Sequence, residues 1–439
     1  MAEPVQLRDV FGVRVDVDPR SYVNRGKLDE RLSWLLEADR HIIIHGDSKQ
    51  GKSWLRAKRL SEDEVVVVQC QPGATREQIL TEALSALGVR AEISAKSTGG
   101  FEGSLEISSK LSVGAKILAA LGLEGKGTAK ATKQTEVDTA PIGRTPADIN
   151  WVARVLKASE RRLVIEDFHY VSEETRRQAS FLIKSLGDRG VFVLVVGIWP
   201  QDYLLSHYNN DLEGRLEDIH LRWSPAELET VLEQGAGHLG ISFSPGLRES
   251  LTQDSYGNVG LLQRLAEALC REEGITQARD DFTFLTVGSS LEHARASVAD
   301  SMRGRYESFT DKFVMGLRRL SEGHDIYKHL LKVVTDASDV ELEAGLPITE
   351  VLNRMNMMSS ASMTLSGVTR ALEQLDRLQA VIDIKPPVLS YTRDFQRVWV
   401  VDKSFLFFRK HGTPNWPWCD PDFDLVNDLA ASNPLNFAP

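Results

Sequence analysis

The sequence predicts an α/β fold built on a parallel sheet, and three observations carry that expectation. Near-continuous apolar runs at 41–45, 64–70, 161–167 and 191–197 have the pattern of strands buried on both faces. Helical patterns alternate with them, which is the order of a parallel sheet covered by helices. The first run, His41-Ile42-Ile43-Ile44-His45, leads into Gly46-Asp47-Ser48-Lys49-Gln50-Gly51-Lys52-Ser53 and a helix through Trp54. That G-x-x-x-x-G-K-S spacing between a strand and a helix is the context of a phosphate-binding loop.

The elements follow in order. A lead-in helix places Leu28, Leu32, Leu35 and Leu36 at helical spacing. After the loop, Val65 to Val68 form a second strand, and Thr75 with Gln78 marks a capped helix over 75–87. A helix at 151–158 precedes Leu163-Val164-Ile165-Glu166-Asp167, a strand ending in two carboxylates. A helix over 172–186 and the strand at 191–197 complete the core; only helical patterns occupy 224–273, which predicts a lid.

Residues 94–146 interrupt the alternation. Leu105, Ile107, Leu111, Val113, Ala115 and Ile117 alternate with polar residues, and a second run carries Lys126, Lys130 and Lys133. The expectation is an inserted glycine-rich β-hairpin; a surface segment without fixed structure is the alternative. Beyond residue 289, helices at 326–335, 348–356 and 364–378 precede strands at 380–385 and 397–401. Three helices and a hairpin give a winged helix-turn-helix. The division is therefore a nucleotide domain over 1–223 with its 94–146 insertion, a lid over 224–288, and a C-terminal winged-helix domain over 289–439.

Composition bounds the partners. The chain has 439 residues, a formal net charge of −10 and a hydrophobic fraction of 42%. That balance excludes a protein that coats nucleic acid by bulk charge. Cys70, Cys270 and Cys419 are odd in number and far apart, which predicts small core residues in a reducing compartment. The start, Met1-Ala2-Glu3-Pro4, has no secretory pattern, and no apolar stretch reaches bilayer length. A cytoplasmic protein without a membrane span is expected.

The chemistry follows from the loop. Backbone N–H groups from Gly46 to Ser53 and the following helix N-terminus suit phosphate oxygens, with Trp54 in the first turn. Lys52 is placed for the β/γ-phosphates of ATP and Ser53 for Mg²⁺. Glu166 is expected nearer the metal and Asp167 nearer an attacking water, with His169 two residues on as a possible water or γ-phosphate contact. Arg215, after Asp211-Leu212-Glu213-Gly214, is placed for the γ-phosphate of a neighbouring subunit; a surface salt bridge is its alternative. Arg264 lies on a helix with leucines at core spacing and can face back to the nucleotide.

The phosphate loop, the Glu166-Asp167 strand, the 211–215 segment and the Gly257-Asn258 to Arg264 helix resemble the AAA+ and STAND signalling ATPases. Val164-Ile165-Glu166-Asp167-Phe168-His169-Tyr170 is similar to the Asp-Asp-x-His form of the metal-binding strand in STAND proteins. Tyr22-Val23-Asn24-Arg25 resembles the segment that packs near the adenine, which implies nucleotide contacts for Tyr22 and Arg25. The resemblance covers about residues 20–270 and, less specifically, the winged helix. Gly197-Ile198-Trp199-Pro200 departs from it, because a polar sensor residue is expected there.

The resemblance implies an oligomeric ATPase switch. Its output is either a separate effector, as in bacterial defence against phage and mobile DNA, or DNA bound through the winged helix, as in transposition and replication regulators. Arg370, Arg377, Lys385, Arg393, Arg397, Arg409 and Lys410 make the 364–412 stretch mildly basic, diluted by Glu373, Asp376, Asp383, Asp394 and Asp402. A metabolic kinase has little support, since no substrate pocket is visible in the sequence.

Overall fold

The structure, a computed structural model, describes residues 4–14, 16–95, 101–107, 116–117, 140–141, 148–316, 324–359, 362–393 and 395–419. It divides into two compact units, one formed by 24–46 with 52–221 and the other by 1–23, 47–51 and 222–439. The 1–23 segment thus belongs with the C-terminal half of the chain rather than with the nucleotide core. The division also passes through the phosphate loop itself.

The first unit is the expected α/β core. Its strands are β1 (His41–His45), β2 (Val65–Gln69), β3 (Val89–Ala95), β4 (Phe101–Ile107), β5 (Ala140–Pro141), β6 (Arg162–Glu166), β7 (Val193–Val196) and β8 (Leu216–His220). Five of these form one parallel sheet in the order β2-β6-β7-β1-β8. Alternate strand residues enter two different cores. Ile43, Val66, Leu163, Ile165 and Val195 pack with helices 76–86, 149–159 and 173–187. Ile42, Ile44, Val164 and Val196 pack with Leu32, Leu35 and Leu55 of helices 27–37 and 52–59. Both faces are covered, so no polar alternation survives in the inner strands. Thr75 and Gln78 form the expected capping box. The edge strand β8, Leu-Glu-Asp-Ile-His, was not among the expected strands, because an edge position tolerates polar residues.

The strand expected near Leu105 and Ile107 is present as β4, and it pairs antiparallel with β3 upstream and with β5 downstream. Lys116 and Ile117 are helical instead of extended, and Ile117 is fully buried. The rest of the expected hairpin, including Lys126, Lys130 and Lys133, lies outside the described residues.

The second unit has one continuous apolar core, from Leu7 and Phe11 through helices 225–239, 245–254, 259–272 and 289–316 to Phe405 and Phe408. The 224–273 region is not purely helical. Ile241–Phe243 (β9) pairs in parallel with Thr283–Leu285 (β10), strands too short for periodicity to show. Towards the C-terminus, helices 324–336 and 339–344, β11 (Leu346–Pro347), helices 348–358, 365–373 and 375–381, β12 (Leu389–Thr392) and β13 (Arg397–Val400) follow in order. Their antiparallel sheet has the order β11-β13-β12.

The strand expected at 380–385 is absent, replaced by the end of helix 375–381 and a turn with Asp383 at φ +61°. The cause is Gln379, fully buried on that helix. Its Oε1 accepts from Val388 N and Leu389 N, and its Nε2 donates to Leu389 O at 2.7 Å. A helical glutamine thus supplies the hydrogen bonds that hold the start of β12. Elsewhere in this unit, buried Asp254 gathers Arg295, Lys410 and His411 around one carboxylate. Cys70 and Cys270 are core residues as expected, with burial pushing each thiol up to about 12. Cys419 is exposed, a correction to the expected core placement. Among the described residues no helix is long and apolar enough to cross a membrane.

Candidate functional site

In the α/β unit the candidate chemistry lies at the carboxyl ends of β1 and β6, the edge where open α/β sheets bind ligands. Gly46 closes β1 at φ +138°, and a Cβ there would sit 2.6 Å from the Leu221 carbonyl oxygen. Only glycine fits that position. Lys52 opens the helix 52–59, is nearly buried, and its Nζ donates to Gly46 O at 3.2 Å. Ser53 Oγ donates to Glu166 Oε2 at 3.0 Å, and Arg56 Nε donates to Oε1 at 3.2 Å. The structure therefore brings Ser53 and Glu166 together as a hydroxyl–carboxylate pair. Such a pair suits an oxygen-seeking cation.

Asp167 diverges from Glu166. Its backbone is left-handed at φ +55°, and its Oδ2 accepts from Gln69 Nε2 at 2.8 Å. His169 is 6% exposed, with neither ring nitrogen hydrogen-bonded. Burial holds its pKa well below the ordinary range, reinforced by the charges of Lys52 and Arg176. A neutral imidazole results, with one donor and one acceptor. At the position where a polar sensor is expected, Trp199 is buried and stacks on His45 with ring centroids 5.5 Å apart.

Arg215 lies at the opposite edge of the sheet. Its carbonyl accepts from His41 N at the start of β1, and its half-exposed side chain pairs with Asp188 at 2.5 Å. The structure does not bring it to Lys52 or Glu166 of its own chain. Arg25 uses its backbone N–H on Asp29 Oδ2 at 2.9 Å, and Trp54 is half-buried in the first turn after the loop.

In the second unit, the loop tip 47–51 is held by residues far along the chain. Ser48 N donates to Val401 O at 3.0 Å, and Ser48 O accepts from Asn258 Nδ2 at 2.9 Å. Lys49, left-handed at φ +59°, accepts from Gly260 N at 3.2 Å, and Gln50 O accepts from Trp223 Nε1 at 3.0 Å. Asp47 Oδ2 lies 3.9 Å from Lys403 Nζ. Gly51 completes the loop at φ +82°. Asn258 is fully buried and also caps helix 259–272 by accepting from Leu261 N. Arg264 on that helix donates to Ser301 Oγ at 2.8 Å, and the Tyr22 carbonyl accepts from Gln234.

Gln69, Arg56, Trp223, Val401 and Lys403 were not singled out from the sequence. Asn258 before an apolar helix carries an N-cap signal. Val401 carries none, because its contribution is a main-chain carbonyl that any residue provides.

No protein-family profile matches the sequence, and no curated protein matches it. Among solved structures, the Walker-type ATPase paby2304 of Pyrococcus abyssi is similar at a TM-score of 0.53 and 12% identity, over 92% of this chain and 99% of that one. The Aeropyrum pernix Orc1 protein in complex with DNA aligns over 94% and 97% of the two chains, at 13% identity and a TM-score of 0.39. The RuvB Holliday junction branch migration motor of Thermotoga maritima aligns over 90% and 96%, at 13% identity and a TM-score of 0.33. The last two scores are too low to bear on the argument. The first, with the five-stranded parallel sheet and the strand–loop–helix at 41–59, gives this chain an α/β P-loop fold like that of a Walker-type ATPase.

Proposed function

We propose that this chain is an ATP-binding and ATP-hydrolysing switch of the AAA+ or STAND kind, which acts as a homo-oligomer and controls a separate effector. The observation that carries this reading is the phosphate loop. Lys52 and the Ser53–Glu166 pair present the groups that phosphate and a divalent cation need. Meanwhile Ser48, Lys49 and Gln50 are bonded to residues at 401, 258, 260 and 223. The tip of this loop is thus held by residues of the C-terminal half of the chain.

Ser53 and Glu166 would hold Mg²⁺, which would neutralise charge on the β- and γ-phosphates. Asp167 is our candidate for polarising the attacking water, with the neutral imidazole of His169 nearby in sequence. Residues 224–288 serve as the lid in this reading. The order helices, strand, helices, hairpin, with sheet order β11-β13-β12, supports a winged helix in the C-terminal region.

An effector is favoured over DNA as the output by the fate of five of the seven basic residues, Arg370 and Arg377 being exposed. Lys385 pairs with Asp383, Arg393 with Glu373, Arg409 with Asp339 and Lys410 with Asp254. Arg397 donates to the Ala344 and Gly345 carbonyls. Charges engaged this way contribute little to a phosphate-binding surface. No salt-sensitive retardation of duplex DNA in a gel is therefore expected; its appearance would move the output to DNA.

Arg215 tests the oligomeric reading. Its pairing with Asp188 is exposed, so its loss costs the fold little. If it completes a neighbour's site, Arg215→Ala keeps nucleotide binding while turnover falls on the order of 10³-fold. Wild-type activity per protomer should rise with protein concentration. Mixing Arg215→Ala with Lys52→Ala protein should restore turnover, since each supplies what the other lacks. A concentration-independent rate with no rescue would leave Arg215 a surface charge and the ATPase monomeric.

A further inference from the structure

Away from Lys52 and Glu166, the α/β unit gathers His45, Asp202 and His220 so closely that one ligand atom from each lies within 4.8 Å of the others. The topology explains the gathering. His45 ends β1, His220 ends β8, and the two are paired across adjacent parallel strands. Their rings are 4.3 Å apart between centroids. Asp202 arrives from the segment after β7, and its Oδ1 lies 2.6 Å from His220 Nδ1.

His45 is the informative member. Its side chain is fully buried, and its Nδ1 lies 3.0 Å from the Trp199 carbonyl oxygen. A carbonyl only accepts, so Nδ1 carries the hydrogen and Nε2 keeps its lone pair. That Nε2 makes no hydrogen bond. It faces Asp202 Oδ1 at 3.4 Å and Asp218 Oδ1 at 3.6 Å. A buried lone pair aimed at two carboxylates is unfavourable unless a cation or a carboxyl proton lies among them. The His220–Asp202 hydrogen bond accounts for two of the three groups and leaves this nitrogen unexplained.

The spacing agrees with a bound ion. Ligand atoms about 2.0–2.1 Å from a tetrahedral zinc are roughly 3.3 Å from one another. The 3.4 Å between His45 and Asp202 already matches that spacing. The 2.6 Å His220–Asp202 pair has to open, by exchanging its hydrogen bond for the metal. The bond from His45 Nδ1 to a main-chain carbonyl is the outer support that metal-binding imidazoles have. Two imidazoles with a carboxylate select zinc-like transition ions over magnesium or calcium.

We propose that His45, Asp202 and His220 form a zinc-class metal site that ties the segment after β7 to the ends of β1 and β8. It sits one residue before the phosphate loop and is separate from the Ser53–Glu166 pair.

The test uses the full chain, stripped with chelator and titrated with Zn²⁺ in calorimetry against a chromophoric competitor. One equivalent should bind, and Co²⁺ should give the intense visible absorption of a tetrahedral complex. Asp202→Asn, at a half-exposed position, and His220→Gln, at a part-buried one, should each weaken Zn²⁺ on the order of 100-fold with circular dichroism unchanged. Ser53→Ala should keep the full stoichiometry. No stoichiometric uptake by the wild type would overturn the site. So would equal affinity in the two ligand variants, or loss of binding in Ser53→Ala, which would assign the metal to the loop.

Discussion

Lys52→Ala protein should bind ATP at least on the order of 100-fold more weakly than wild type in calorimetry, since charge-assisted hydrogen bonds to phosphate each contribute about 1.5–3 kcal/mol. The side chain opens helix 52–59 and folds back onto the Gly46 carbonyl, so its ammonium is already positioned over the loop. Alanine is a strong helix former, and the helix should persist. Unchanged far-ultraviolet dichroism with lost binding is therefore the expected pair of results. Undiminished ATP affinity would mean that the loop is not a phosphate site.

The second large effect separates the two carboxylates. Asp167→Asn should keep nucleotide affinity and lower turnover by about 10²–10⁴-fold, the range for removing a general base. Glu166→Gln should instead raise the Mg²⁺ concentration needed for tight nucleotide binding, because its carboxylate is the one bonded to Ser53. The measurement is single-turnover hydrolysis alongside nucleotide titrations at several Mg²⁺ concentrations. If Glu166→Gln alone abolishes turnover without changing the Mg²⁺ dependence, the two assignments must be exchanged.

Much of the α/β unit was legible because its information is local. Ile42, Ile43 and Ile44 are fully buried, and no other element type explains such a run before a glycine loop. The Thr75–Gln78 capping box is written in residues three apart. What escaped reading depends on distant partners. The stretch Ala380 to Ile384 looks extended by composition, yet helix 375–381 runs into it because Gln379 must reach Leu389. β8 was hidden by its edge position. At the candidate site, the loop, Glu166 and Asp167 were singled out because phosphate chemistry demands particular residue types at particular spacings. Val401 was invisible because the chemistry there is a carbonyl.

That carbonyl has a consequence for timing and affinity. The Ser48 N–H points at Val401 O, so it is engaged before any phosphate arrives. A nucleotide that needs this donor binds only the fraction of molecules in which it is released. With about one molecule in a hundred released, the apparent dissociation constant rises about 100-fold above the intrinsic one. A partner that pulls the 401–403 segment away would remove that handicap and tighten ATP by the same factor. By reciprocity, ATP would tighten the partner equally. The chain would then report the presence of its partner as nucleotide occupancy, with the exchange rate set by how often a single main-chain hydrogen bond opens.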